Sequence, residues 1–491
     1  MNTTLYIKRF ENTASADVTE DISIPDYLPE VRRIVGVHAS VTVDGKYLTG
    51  EELEADGNVV YTVLYTAADG SLAQLSESTS YTGRVPLKSE DDRFGSEDIV
   101  LSASAENVNC RVTAPRRITL SSRVKMCAVS EKAVDGSLHV ASSSPEVSVR
   151  RKVSSVHTGY LTEMRQNGET QGEIREREGM KLVCASGNIG VGDVRVIQSS
   201  GGKKVSVKGE VSVNLLLLSP EGMYVQSKGR APIDEEIPLG EKNGQGADVS
   251  PAVFGRIVML EVNGDEDGIF SWKTEYDLDC VVMRSAESEI TTDAYLAGQE
   301  DILEKNDMKI CMPASAVNGR LTSSAAVTLR PESTYVTAWG TAFVDRAQVS
   351  GNKMNLSGNV KMSVLTAGGG EFYLDEVTVP MKYTCEADPR AEESECGIGR
   401  TAVEVCDITA RADGNMLNLT AELFISAVLM SEKSISAAVS LTPAEEDCKN
   451  ADSSGNRIRI YVPEDNESAW DVEKKFRLGR EAVREGGAYV I

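Results

Sequence analysis

The stretch GEVSVNLLLLSPEG, residues 209–222, decides how this chain folds. After Gly209, the residues Val211, Val213 and Leu215 take every second position, with Ser212 and Asn214 between them. Apolar and polar residues alternating with a period of two are what a strand buried on one face needs. Glu221-Gly222 then marks a tight turn into a return strand. The same design stands at 57–70 as GNVVYTVLYTAADG and at 358–371 as GNVKMSVLTAGGGE. There the inward positions are Val59, Tyr61 and Val63, and Val360, Met362 and Val364. The starting glycines Gly57, Gly209 and Gly358 stand 152 and 149 residues apart. The hairpin therefore reads as the centre of a unit present three times.

Each unit closes with a second alternating hairpin. These are RITLSSRVKMCAV after Pro115, FSWKTEYDLDCVVM after Asp267-Gly268, and MLNLTAELFISAVLM after Asp413-Gly414. The segments are rich in Val, Leu, Thr and Tyr and carry no helical period. The expected fold is mainly β: three tandem β-sandwich-like repeats plus a small α+β module at the C-terminus. The boundaries are 1–150, 151–290 and 291–448 for the repeats, 449–456 for a linker and 457–491 for the module. Short polar segments such as SAESEITTDAYLAGQED are expected to join the repeats, giving a series of rigid units with an extended surface. SIPDYLPEVRRIVGVH reads as a Pro-braced turn or short helix.

A chain of 491 residues has room for three or four domains, each with its own core. A net charge of −24 repels phosphate backbones and anionic membranes, so no nucleic acid and no membrane insertion are expected. The opening MNTTLYIKRFENTASADVTE has no apolar h-region to direct Sec export. The nine cysteines form no CxxC and read as reduced thiols of a cytosolic protein, and Cys110, Cys127, Cys184, Cys280 and Cys406, in apolar strand contexts, read as small core residues. His38, His139 and His157 are too scattered for a metal or catalytic centre. NGDEDG at 263–268 imitates a calcium loop, but Thr274 stands where the closing Glu belongs, so it reads as a hairpin turn. GNIGVG (187–192) and CGIGR (396–400) match no nucleotide loop and read as turns. No catalytic, cofactor-binding or metal residues are expected, and the chain is not read as an enzyme.

IPDYLPEVRRIVGVHASVTV, the GNVVYTVLYTAADG hairpin, APRRITLSSRV, TDAYL and NGDEDGIFSWKTEYDLDCVV together resemble the SPOCS-domain proteins of anaerobic spore formers. That family builds coat-morphogenesis proteins from β-rich units, often followed by a LysM-like module. The tail RIRIYVPEDNESAWDVEKKFRLGREAVREGGAYVI (457–491) resembles a degenerate LysM: strand, helix, second helix, closing strand. SAWDVEKKF stands where a typical LysM reads TLWDIAKKY. Ser468 and Asp471 form a capping box, and Ala469, Val472 and Phe476 an apolar stripe. Asn466 and Glu467 replace the usual Gly-Asp, and Glu473 replaces a small residue, so the module is expected to dock protein rather than read glycan. Trp470 reads as a core residue of the module.

The resemblance implies a non-enzymatic scaffold or adaptor in spore coat morphogenesis, in the mother-cell cytoplasm at the forespore surface. Its tail would dock the ATP-hydrolysing coat scaffold, and its β units would recruit other coat proteins. The candidate partner-binding residues are Trp470, Asp471, Lys474, Lys475 and Phe476 of the tail and the basic pair Arg116 and Arg117. Two other readings stay open: a structural protein that self-associates through strand edges into filaments or shells, and a peptidoglycan-binding LysM protein.

Overall fold

A computed structural model of the chain describes residues 5–87, 99–135, 137–141, 148–200, 202–239, 248–388, 397–444, 460–464, 466–479, 484–485 and 488–490. The protein is mainly β, with one short helix among the described residues. The first six strands are β1 (Leu5–Ser23), β2 (Val31–Thr49), β3 (Glu52–Ala67), β4 (Leu72–Pro86), β5 (Ile99–Ala114) and β6 (Arg117–Asp135). They pair antiparallel as two sheets, β1-β6-β5 and β2-β3-β4. After β7 (His139–Val140) come β8 (Val149–Arg175), β9 (Lys181–Ser199), β10 (Gly202–Leu218), β11 (Tyr224–Pro238), β12 (Asp248–Gly264) and β13 (Ile269–Leu296). Then follow β14 (Asp301–Thr328), β15 (Thr334–Ser350), β16 (Lys353–Gly368), β17 (Glu371–Glu386), β18 (Gly397–Asp413) and β19 (Met416–Pro443). The strand order is the same each time: β8-β13-β12 with β9-β10-β11, and β14-β19-β18 with β15-β16-β17. In the last set one bridge, Ala342 to Val403, merges the two sheets.

Each set of six strands encloses its own core. In the first, Val59, Tyr61 and Val63 of β3 meet Val124 and Met126 of β6, and the Tyr61 and Ser122 hydroxyls bond across the two sheets at 2.6 Å. All nine inward positions after the three glycines are buried, as the alternation requires. The hairpin turns fall where the sequence places them, with Gly70, Gly222 and Gly370 at positive φ. NGDEDG is the β12–β13 turn, with Asp265 Oδ1 accepting the Ile269 amide at 2.7 Å. The PDYLPE segment is a turn, and VRRIVGVH begins β2.

Gly57, Gly209 and Gly358 share a reason that the alternation does not reveal. Each lies beside a one-residue bulge in the neighbouring strand, at Asp44 in β2, Gly192 in β9 and Asp345 in β15. A bulge pushes its strand towards the partner. A Cβ on Gly57 would lie 1.9 Å from the Thr42 carbonyl oxygen, and one on Gly358 1.9 Å from that of Phe343. At Gly209 the gap to the Gly190 carbonyl is 2.3 Å. Only glycine fits.

The three sets do not run in series. β4 packs against β9, β11 against β15 and β17 against β2, so the seams close head to tail into a ring. Gln74 Nε2 donates to the Ala185 carbonyl (3.3 Å), Gln226 Nε2 to Thr337 Oγ1 (2.6 Å) and Arg33 Nη2 to the Phe372 carbonyl (2.5 Å). On the axis Leu64, Leu216 and Leu365, each seven residues after its glycine, meet Leu72, Tyr224 and Phe372. Burying one such side chain is worth roughly 1.5–3 kcal/mol, so this plug opposes opening by several times thermal energy. The outer face of each central hairpin is therefore turned to the axis, which is why Ser212 and Ser363 are buried. The extended series expected from the sequence is replaced by this ring.

Other expectations are corrected too. The expected linker SAESEITTDAYL is strand as far as Leu296, paired with β8 apart from one bulge at Thr292. GNIGVG lies inside β9, and Gly397–Arg400 of CGIGR opens β18. Gly190 is needed there because a Cβ would meet the Phe424 ring of the third set at 2.3 Å. The ends of β8 and β13 pack on those of β14 and β19 through Val156, Ile290, Ile310 and Ile435. β7 joins them, pairing parallel with Ser440 and Leu441.

Candidate functional site

The tail forms β20 (Ile460–Tyr461), α1 (Ala469–Lys475), β21 (Arg484–Glu485) and β22 (Ala488–Val490), with sheet order β20-β22-β21. The expected second helix is not what the described residues form: Arg484 and Glu485 are strand, paired with Tyr489 and Ala488. The capping box is present, with Asp471 Oδ2 accepting the Ser468 amide at 3.0 Å and Ser468 Oγ accepting the Asp471 amide at 3.3 Å. Hydrogen bonds from Ser468 hold the Asp471 carboxyl below its ordinary range.

The five tail residues divide between two faces. Asp471, Lys475 and Phe476 act within the tail: Lys475 Nζ donates to the Tyr461 hydroxyl (2.9 Å) and Glu467 (3.0 Å), and the Phe476 and Tyr461 rings lie 4.8 Å apart. Trp470 and Lys474 point the other way and are already engaged. Trp470 Nε1 donates to Asp293 Oδ2 at 2.8 Å and Lys474 Nζ to Asp293 Oδ1 at 2.6 Å. The Trp470 ring lies 5.3 Å from that of Tyr295, whose hydroxyl donates to the Leu478 carbonyl at 2.8 Å. Arg150 and Glu473 pair at 2.7 Å, and Arg477 pairs with Asp301. Burial would raise the Asp293 carboxyl, but the bonds from Lys474 and Trp470 and the nearby Lys305 lower it on balance. Trp470 is thus a residue of the seam between the tail and β13, not a core residue of an independent module. Its acceptor Asp293 and its ring neighbour Tyr295 sit in TDAYL, where the polar residues read as linker, so no local signal exposed them.

Arg116 and Arg117 do not join this site. Arg116 Nη2 donates to the carbonyls of Pro25 (2.7 Å) and Leu28 (3.1 Å), bracing the PDYLPE turn. Arg117 is exposed at the start of β6, its backbone paired with Ser23 and Ala114. The neighbouring Arg123 and Lys125 are matched by Asp17 (2.8 Å) and Glu106 (3.5 Å).

A cavity of about 500 Å³ opens where the three sets meet, lined by residues of β2, β5, β8, β12, β13 and β18. Most of its charges are committed to one another. Lys46 Nζ donates to Glu163 at 2.6 Å, and Arg400 bridges Glu163 and Asp279 (2.8 Å to the latter). Arg165 reaches Asp279 at 2.7 Å and the Val43 carbonyl at 3.0 Å, and Arg256 pairs with Asp277. Burial pushes the Asp279 carboxyl up, yet Arg400 and Arg165 outweigh it and bring it down to about 2. The network cross-links all three sets. Glu404 also lines the cavity, and among the described residues its side chain has no hydrogen bond or ion pair. Part of its surface opens to the cavity, but the protein around it pushes its carboxyl up to about 7.

Among the described residues no group of three His, Cys, Asp or Glu is arranged to hold a metal, and no helix is long and apolar enough to cross a membrane. No family model, curated protein or solved structure matches the chain.

Proposed function

We propose that this chain is a non-enzymatic scaffold of spore coat assembly, holding coat proteins on a rigid β platform at the forespore surface in the mother-cell cytoplasm. The reading rests on the SPOCS-like and LysM-like motifs, and one observation carries it beyond them. The tail is clamped to the platform by the Trp470 face of α1, while its edge strand β20 and the residue that follows it present Ile460 and Val462, 71% and 70% exposed, to the outside. An edge strand with apolar side chains is a surface on which another chain can add. Docking of the coat ATPase is assigned to this edge rather than to Trp470 and Lys474, which the platform already occupies.

The test compares the full chain with an Ile460→Asp/Val462→Asp variant in pull-downs from sporulating-cell lysate, alongside sedimentation with peptidoglycan. The wild type is expected to capture the coat ATPase and other coat proteins, the variant to lose the ATPase, and neither to sediment. If the wild type sediments with peptidoglycan and captures no coat protein, wall binding replaces this reading.

A further inference from the structure

A second cavity, of about 190 Å³, lies on the axis of the ring behind the Leu64–Leu216–Leu365 plug. The pleat explains what lines it. Val37, Ala185 and Ala338 point into the three sandwich cores, so the next residue in each strand points to the axis. Those residues are His38, Ser186 and Trp339, paired in register with Thr62, Asn214 and Ser363. The three positions are equivalent in the fold but differ in chemistry. An imidazole, a hydroxyl and an indole face one space, with Asn188 and Thr62 beside them.

Among the described residues, His38, Thr62, Ser186, Asn188 and Trp339 make no side-chain hydrogen bond, though all line this cavity. Trp339 is held across a seam. The absent Cβ of Gly36 would lie 3.3 Å from the indole, so that glycine makes room for the ring. The surroundings carry no net charge. Lys228 pairs with Asp407 at the wall, and the protein packed around His38 holds its imidazole below its usual range. His38 and Ser186 are themselves exposed, so the cavity stands open to solvent on their side. Few, convergent, unpaired polar groups in a mostly apolar hollow are the mark of a small-molecule site.

The geometry points to a binding site on the ring axis for a small, neutral, planar heteroaromatic compound of one or two fused rings, with donors and acceptors on its edge. Size sets the upper limit, since a cavity of about 150 Å³ holds benzene. Charge neutrality excludes anions and cations, and Trp339 supplies a stacking face. A molecule bound there touches all three sets of strands, so its binding stabilises ring closure by mass action.

The full chain is titrated with benzimidazole and adenine, and with cyclohexanol as a non-planar control, by calorimetry, tryptophan fluorescence and thermal melting. At least one planar probe is expected to bind saturably at one site per chain, change the Trp339 emission and raise the melting temperature, while cyclohexanol does not. Ser186→Leu, which fills the cavity, is expected to weaken binding at least tenfold. Thr62→Val, nearly isosteric and so safe for folding, is expected to weaken it several-fold. The proposal is overturned if neither planar probe binds saturably, if cyclohexanol binds as tightly, or if Thr62→Val binds like the wild type.

Discussion

Single residues carry two of the sharper constraints. Gly57 is fixed by the bulge at Asp44, where a Cβ would meet the Thr42 carbonyl at 1.9 Å. Gly57→Ala is expected to cost about 1–3 kcal/mol, the usual range for overpacking, read as a lower urea midpoint. An unchanged midpoint would mean that the two strands do not approach as described. Glu404 imposes the second constraint through pH. Its carboxyl is raised from 4.5 to about 7 in the folded chain, so between those values the unfolded chain loses a proton that the folded chain keeps. Stability then falls as pH rises through that window, by at most about 1.4 kcal/mol per pH unit, and stays lower above it. Glu404→Gln is expected to flatten this decline in urea titrations between pH 4.5 and 7. A variant with the wild-type slope would show that Glu404 is not the group responsible.

Among the elements, α1 is the one whose attachment can be tested separately from its folding. Its capping box is local, whereas its hold on the platform converges on Asp293, which accepts from both Trp470 and Lys474. Hydrogen bonds to a charged group contribute about 1.5–3 kcal/mol each. Asp293→Ala is therefore expected to release the tail while leaving the sandwiches folded. The release would be read as a red-shifted tryptophan emission and faster proteolysis of the tail. Emission and proteolysis matching the wild type would place the hold elsewhere, at Arg150–Glu473 or Arg477–Asp301. The strands and turns themselves were legible in the sequence, because a period of two and an Asp-Gly pair act within a few residues. GNIGVG misled, since glycines that admit the Phe424 ring look the same as glycines that make a turn. The TDAYL strand was missed for a related reason: its polar residues serve the tail, whose sequence lies some 170 positions away.

For the whole molecule the closed ring gives a definite size. A compact chain of this length has a radius of gyration of about 23 Å, whereas the same three units end to end would give roughly 35 Å. Small-angle scattering is expected near the lower value, and a curve fitting the higher one would rule out closure. Closure was not legible because alternation assigns the outward face to solvent: Ser212 reads like any solvated serine, and Leu64, Leu216 and Leu365 read only as the apolar end of a strand. It also has a consequence in time. The seam between the first and third sets joins Arg33 to Phe372, 339 residues later. A ribosome adding about 5–20 residues per second needs roughly 17–70 s to cover that interval. Until the second set emerges, Leu64 and Leu72 on the nascent chain have no lid, and only the last third of translation completes it. The protein is thus most open to mispairing with a neighbouring nascent copy while still tethered to its ribosome, and spacing of ribosomes along the message becomes part of its folding.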